Sequence, residues 1–235
     1  MFLFAKLLLA HLLADYVLQF DELYRLKRSH WTGYFWHIAI LTAVTIGLVW
    51  PYLTYPAMWG LVGLIAATHW AEDVLKNRLE DRLPRLIFPL YVMDQVIHVG
   101  VLSLVWFLPF VHEVRFPEGP AWLRQYYGDP AYTDFAIFMV VLTFAGTYTF
   151  FNWRRNYLSG TRKDHGLTRF EMTHAMIERL VIAGVILENS NPLVWSLTLL
   201  VGILRFAHPL LRNRLDFAFS WIWAAAWTIL FKTFA

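Results

Sequence analysis

The sequence predicts an all-α, polytopic membrane bundle of about eight spans, and three observations carry that expectation. The first is composition: of 235 residues, 58% are hydrophobic and 18% aromatic, only 16% are charged, and mean hydropathy is +0.46. A water-soluble domain carries about 25% charge. The second is segment length. Apolar stretches near the roughly 20 residues needed to cross the hydrocarbon core recur between charged or Pro-containing breaks. The third is the alternation of Lys and Arg between successive loops.

The spans are expected at 2–20, 33–50, 57–75, 86–111, 132–153, 171–188, 192–210 and 215–234. The first has the length of a signal peptide, but it contains His11, Asp15 and Gln19 and no small-residue cleavage site, so it is read as retained. Basic residues follow the odd-numbered spans: Arg25, Lys27 and Arg28; Lys76, Arg78, Arg82 and Arg85; Arg154, Arg155, Arg162, Lys163 and Arg169; Arg212 and Arg214. Loops 51–56 and 189–191 have no Lys or Arg, and 112–131 has only Arg115 and Arg124. Odd-numbered loops are therefore expected on the cytoplasmic side and both termini on the outer side. Trp31, Trp36, Trp50, Tyr52, Tyr55 and Trp59 near span ends fit an interfacial aromatic belt. The 112–131 segment, with Pro117, Gly119, Pro120, Gly128 and Pro130, separates a half at 1–111 from a half at 132–235. It is too short to link independent soluble domains, so one membrane domain is expected, with Trp122, Tyr126 and Tyr127 lying along the surface.

Composition also excludes several chemistries. With no Cys, disulfides, thiolate metal sites and Cys nucleophiles are ruled out. The net charge of +3 comes from short clusters between apolar segments, which membrane orientation accounts for, so nucleic acid is not an expected partner. There is no H-E-x-x-H, no P-loop, no G-x-S-x-G and no paired-glutamate prenyl-protease pattern.

Polar residues inside the spans carry the functional signal, because an ionisable group in hydrocarbon costs at least a few kcal/mol unless paired, hydrated or bound to an ion. His11, Asp15 and Gln19 are spaced four apart on one helix face, and His69 and Asp73 repeat that spacing with Glu72 beside them. Each His-x3-Asp is followed, across a basic loop, by a His on the next span: His37 after the first, and His98 after the second, with Asp94 one turn earlier and Gln95 adjacent. The pattern reads as a weakly duplicated helical hairpin. At 1.5 Å per residue these side chains fall roughly 5 to 15 Å inside the cytoplasmic face, where they can meet. His11, His37, His69, His98, Asp15 and Asp94 are candidate ligands for Zn, Mn or Fe, and Asp15, Asp73 and Asp94 are candidate catalytic carboxylates.

Two other readings stand beside this one: hydrogen-bonded helix glue, and a proton or cation pathway. His30, His112 and His165 read as loop residues. In the second half, Glu171, His174 and Glu178 share a face followed by Arg179, and Arg205 and His208 end span seven. Glu178 and Arg205 are expected to pair; Gln19, Gln95, Glu178, Arg179 and Arg205 are candidate substrate contacts if they face the cluster, since Arg suits a phosphate.

His11-Leu-Leu-Ala-Asp15-Tyr-Val-Leu-Gln19, His37, Asp94-Gln95-x-x-His98, Glu178-Arg179-Leu180 and Leu204-Arg205-Phe206 together resemble the bacterial membrane family DUF3307. The chain departs from that family in the second half, which lacks a Gly-rich lead into Glu178-Arg179 and a Lys before Leu204-Arg205-Phe206. The resemblance implies a multi-pass protein of the bacterial inner membrane, reinforces His11, Asp15, Gln19, His37, Asp94 and His98 as the site, and brings no activity with it. The leading expectation is a metal-dependent hydrolase of a lipid or lipid-linked phosphate, in which bound metal acidifies a water and a free carboxylate acts as base. A transporter or channel using the same residues, and a membrane assembly subunit, are the rivals.

Overall fold

The computed structural model describes residues 1–157, 168–189, 191–207 and 214–234, and every regular element among them is helical. Arg162, Lys163, His165, His208 and Arg212 lie outside the described residues. By packing, the chain divides into two compact units, Met1–Ile137 and Phe138–Ala235.

The first unit contains α1 (Phe2–Leu12), α2 (Asp21–Ser29), α3 (Trp31–Val49), α4 (Pro56–Arg82), α5 (Ile87–Leu102) and α6 (Ala121–Gly128). Helix α7 (Pro130–Val140) carries the chain into the second unit, which holds α8 (Gly146–Tyr157), α9 (Arg169–Glu188), α10 (Pro192–Trp195), α11 (Leu200–Ala207) and α12 (Arg214–Phe234). Pro56, Pro130 and Pro192 open their helices, where proline's missing N–H is no loss.

Four stretches are long and apolar enough to cross a membrane: Trp31–Tyr52, Pro84–Phe107, Pro130–Tyr157 and Leu215–Phe234. A fifth is Phe2–Val17 joined to Asp21–Ser29, if that pair, bent by 84°, counts as one. These helices suggest a membrane protein. The first and seventh expected spans are each interrupted. The first ends in a π turn, Leu13–Val17, and the chain then turns sharply into α2, which occupies the expected loop. The seventh is broken by a 3₁₀ turn, Ser196–Leu199, between α10 and α11. Helix α4 runs on past position 75 to Arg82, about 40 Å at 1.5 Å per residue, so the basic stretch after the third span is helical.

Burial in the first unit follows a four-residue repeat that the sequence shows directly. Gly33, His37, Leu41, Thr45 and Val49 form the inward stripe of α3, and Met58, Val62, Ile65, His69, Asp73 and Asn77 that of α4. Leu3, Val49, Met58 and Leu102 are packed in an apolar core at one end of these helices. The same stripes become polar toward the other end, so the fold aligns the ionisable residues without leaving the core face.

Helix α6 is docked by Tyr127, whose hydroxyl donates to the Leu48 carbonyl at 2.8 Å. The Lys6 ammonium lies 4.2 Å from the Tyr127 ring and 4.9 Å from Phe2, a cation–π setting for a buried lysine. Of the expected aromatic belt, Tyr52 is instead wholly buried: its hydroxyl donates to the Glu113 carbonyl and accepts from the Arg115 amide. Beside it, Glu113 accepts from Tyr55 and pairs with Arg115, and both contacts hold its carboxyl below the usual range.

Candidate metal centre

Nε2 of His37 and Nε2 of His69 lie 2.9 Å apart, and Oδ1 of Asp15 is 3.2 Å from each. Oδ2 of Asp73 completes the group at 3.5 Å from His37 and 3.7 Å from His69. Two imidazole nitrogens this close can share one proton, and Asp15 Oδ1 faces both at ion-pair distance without the alignment of a hydrogen bond to either. With one oxygen facing two imidazole nitrogens, the protons of helix glue alone satisfy this centre poorly.

The same distances suit a metal ion. With ligand bonds of about 2.0 to 2.1 Å, donor atoms stand about 2.9 Å apart at a right angle and about 3.3 Å apart in a tetrahedron. Imidazole and carboxylate donors suit Zn, Mn or Fe. Two overlapping groups bring one donor atom from each residue within 4.8 Å of one another: His37, His69 and Asp73, and His11, Asp15 and His69. His11 stands at the margin, its Nε2 at 3.8 Å from Asp15 and without a hydrogen-bond partner.

Each helix delivers its ligand for a local reason. Asp15 sits in the π turn, where the Leu18 amide reaches back five residues to the Leu13 carbonyl at 2.8 Å. His37 lies one turn beyond Gly33, where α2 crosses α3. A Cβ on Gly33 would come within 2.3 Å of the Lys27 backbone nitrogen, so only glycine permits the crossing. That contact brings Lys27 into the cluster, its ammonium 2.5 Å from Asp73 Oδ2 and 2.7 Å from the Gln19 carbonyl oxygen it donates to.

A second layer surrounds the ligands. The Lys76 ammonium bridges Asp94 Oδ2 at 2.9 Å and Asp73 Oδ1 at 3.5 Å, and Gln95 donates to the same Asp94 oxygen at 3.0 Å. His98 stacks on His69 with ring centres 4.1 Å apart, with Glu72 at 2.6 Å from one nitrogen and Asp94 at 3.4 Å from the other. Tyr16 and Tyr91 share a hydrogen bond of 2.7 Å. His11, His37, His69, His98, Asp15, Asp73 and Asp94 are thus gathered in one place. Asp94 and His98 are in neither candidate ligand group, and Gln19 and Gln95 hold Lys27 and Asp94.

Lys27 and Lys76 were not anticipated, because in sequence both are topogenic charges of basic loops. The signal was present as helical spacing: Lys27 is four residues after Leu23 on the buried face of α2, and Lys76 three after Asp73 on α4.

Glu178, Arg179 and Arg205 belong to the second unit and make their own network there. Arg205 pairs with Glu178 and reaches Asp216 at 3.3 Å. Arg179 donates to the Thr143 carbonyl and the Thr147 hydroxyl, both at 2.8 Å. A Cβ on Gly146 would stand 2.9 Å from the Arg179 guanidinium and 2.5 Å from the Trp223 indole nitrogen. Glu171 caps α9: its carboxylate accepts from the Thr168 amide while Thr168 accepts from the Glu171 amide.

No curated protein and no solved structure matches the chain. The match to a known family covers residues 3–117, which hold every member of the histidine and aspartate cluster, and stops before Glu178 and Arg205. That segment is a DUF3307 region, the family described as a protein of unknown function.

Proposed function

We propose that the DUF3307 region is a metal-dependent membrane hydrolase acting on a lipid or lipid-linked phosphate, with one divalent ion (Zn, Mn or Fe) held by Asp15, His37, His69 and Asp73. The observation that carries the reading is the convergence of Asp15 Oδ1 and two Nε2 nitrogens at 2.9 and 3.2 Å with the carboxylate oxygen lacking a hydrogen bond. These four residues would hold the ion, which would supply an acidified water as the nucleophile at neutral pH. Asp94, outside the ligand groups and oriented by Lys76 and Gln95, is the carboxylate we assign as general base. Among the four ligands the side chain of Asp15 is the most exposed at 12%, against 0% and 4% for His37 and Asp73. We place the protein in the bacterial inner membrane with eight crossings and both termini outside, on the alternation of basic loops.

A second reading rests on a separate observation. Lys27, Asp73, Lys76, Asp94, His98 and Glu72 form a continuous chain of contacts at 2.5, 3.5, 2.9, 3.4 and 2.6 Å, the arrangement of a proton relay. Protein purified in detergent and assayed by elemental analysis separates the two. The hydrolase reading expects about one equivalent of transition metal, with turnover on a panel of lipid phosphates that chelation abolishes and metal restores. Metal-free protein that moves protons across liposomes, and loses the flux as Lys76→Met, would replace it by the relay.

A further inference from the structure

We infer that Lys27 and Lys76 are built-in counter-charges that set the capacity of the centre to a single divalent ion. The inference rests on the metal reading and deepens it. Around the candidate ligands stand four carboxylates, Asp15, Glu72, Asp73 and Asp94, and two ammonium groups, Lys27 and Lys76. With His11, His37 and His69 neutral, as ligands must be, and His98 counted as a cation because a carboxylate faces each of its ring nitrogens, one negative charge is left over, so one divalent ion brings the cluster near neutrality and a second would leave it strongly positive. Arg28 stands outside this count. It engages Asn77, Glu80 and Asp81 farther along α4.

Placement makes the lysines part of the site and not incidental neighbours. Lys27 is 5% exposed and meets Asp73 on the oxygen that faces His37 and His69. Lys76 spans Asp73 and Asp94 from the other side. An ammonium donates to a carboxylate oxygen without removing it as a ligand, so both lysines can aim Asp73 while lowering the charge it presents. They also explain the overlap of the two candidate groups. Occupying both would place two divalent ions around the single ring of His69 against a cluster with one net negative charge.

Zinc and manganese titrations of the purified full-length protein, read by stoichiometry and affinity, test the inference. Wild type is expected to bind one ion. Lys76→Met is expected to bind it at least tenfold tighter or to admit a second equivalent, and Lys27→Met to do the same. Asp94→Asn should weaken binding by a comparable factor, and Lys76→Met with Asp94→Asn, which restores the charge, should return close to wild type. Lys27→Arg, which keeps the charge, should match wild type and serves if Lys27→Met fails to fold. Single variants that bind like wild type, or a double variant no closer to it than either single, overturn the role of the lysines while leaving the metal centre standing. Wild-type protein that takes up no metal overturns the centre and this inference together.

Discussion

In the first unit Asp15 stands in a π turn, two imidazole nitrogens each 3.2 Å from its Oδ1, and that oxygen has no hydrogen bond. In the second, Thr143 stands in the π turn Val141–Ala145, and its carbonyl accepts from the buried guanidinium of Arg179. Both units spend a widened helical turn on a buried ionisable group, but in the second the charges match: Arg179 and Arg205 stand against Glu178 and Asp216, with Arg179 also held by Thr143 and Thr147, while Glu178 Oε1, Arg179 Nε and Asp216 Oδ1 make no hydrogen bond. In the first, four carboxylates face Lys27, Lys76 and His98, one positive charge short. A buried network whose charges balance is a structural element, whereas one left short of positive charge at the focus of several imidazoles has the electrostatics of a cation site.

The contrast can be broken from either side. The largest effect is expected at the ligands: Asp15→Asn and His69→Ala should each lower metal affinity by about a hundredfold or more, since even residues that only orient ligands are worth ten- to a hundredfold. Isothermal titration checks it, and unchanged affinity in both would remove the centre. Glu178→Ala should leave metal content alone and destabilise the protein by about 1 to 3 kcal/mol, because Arg205 loses its nearer partner and keeps Asp216. Chemical unfolding in detergent reads the loss, and a change in metal affinity would tie the units together. Gly33→Ala forces α2 off α3 and should cost about 1 to 3 kcal/mol, while disturbing the Lys27–Asp73 contact. A variant as stable as wild type would mean the crossing has slack.

The smallest effect is in the 112–131 segment. Because Tyr55 and Arg115 hold Glu113 below its ordinary value of 4.5, folding gains from the carboxylate above that pH and loses the gain as pH falls through the lower, folded-state value. Thermal melts from pH 6 down to 3 should show Glu113→Gln less stable than wild type at pH 6 and the gap closing with acid. A constant gap would assign the difference to something other than this charge.

The helical class and the meeting of His11, Asp15, His37, His69, Asp73, Asp94 and His98 were legible in sequence, because i, i+4 spacing states which residues share a face and short connections force helices to be neighbours. What was not legible came from helix ends. Lys76 counted as a loop charge only while the third span stopped at 75, and Lys27 while 21 to 32 was a loop; helix α2 and the continuation of α4 turned both inward. Glu171 was grouped with His174 and Glu178 by spacing alone, although Thr-x-x-Glu before an apolar run is the signature of a capping box. Tyr52 was assigned to the interface by its position in the chain, while its hydroxyl holds the backbone of Glu113 and Arg115.

A π turn is also a count: the stretch from Leu13 to Val17 holds one residue more than an α-helix would need there. Insertions within a helix rotate everything after them by about 100°, but this widened turn is the last of its helix, so the extra residue acts on Asp15 and on the bend into α2. The presentation of Asp15 to the imidazoles is therefore written in chain length as much as in side-chain identity. A single residue gained or lost between 13 and 17 would swing the Asp15 carboxylate away from His37 and His69.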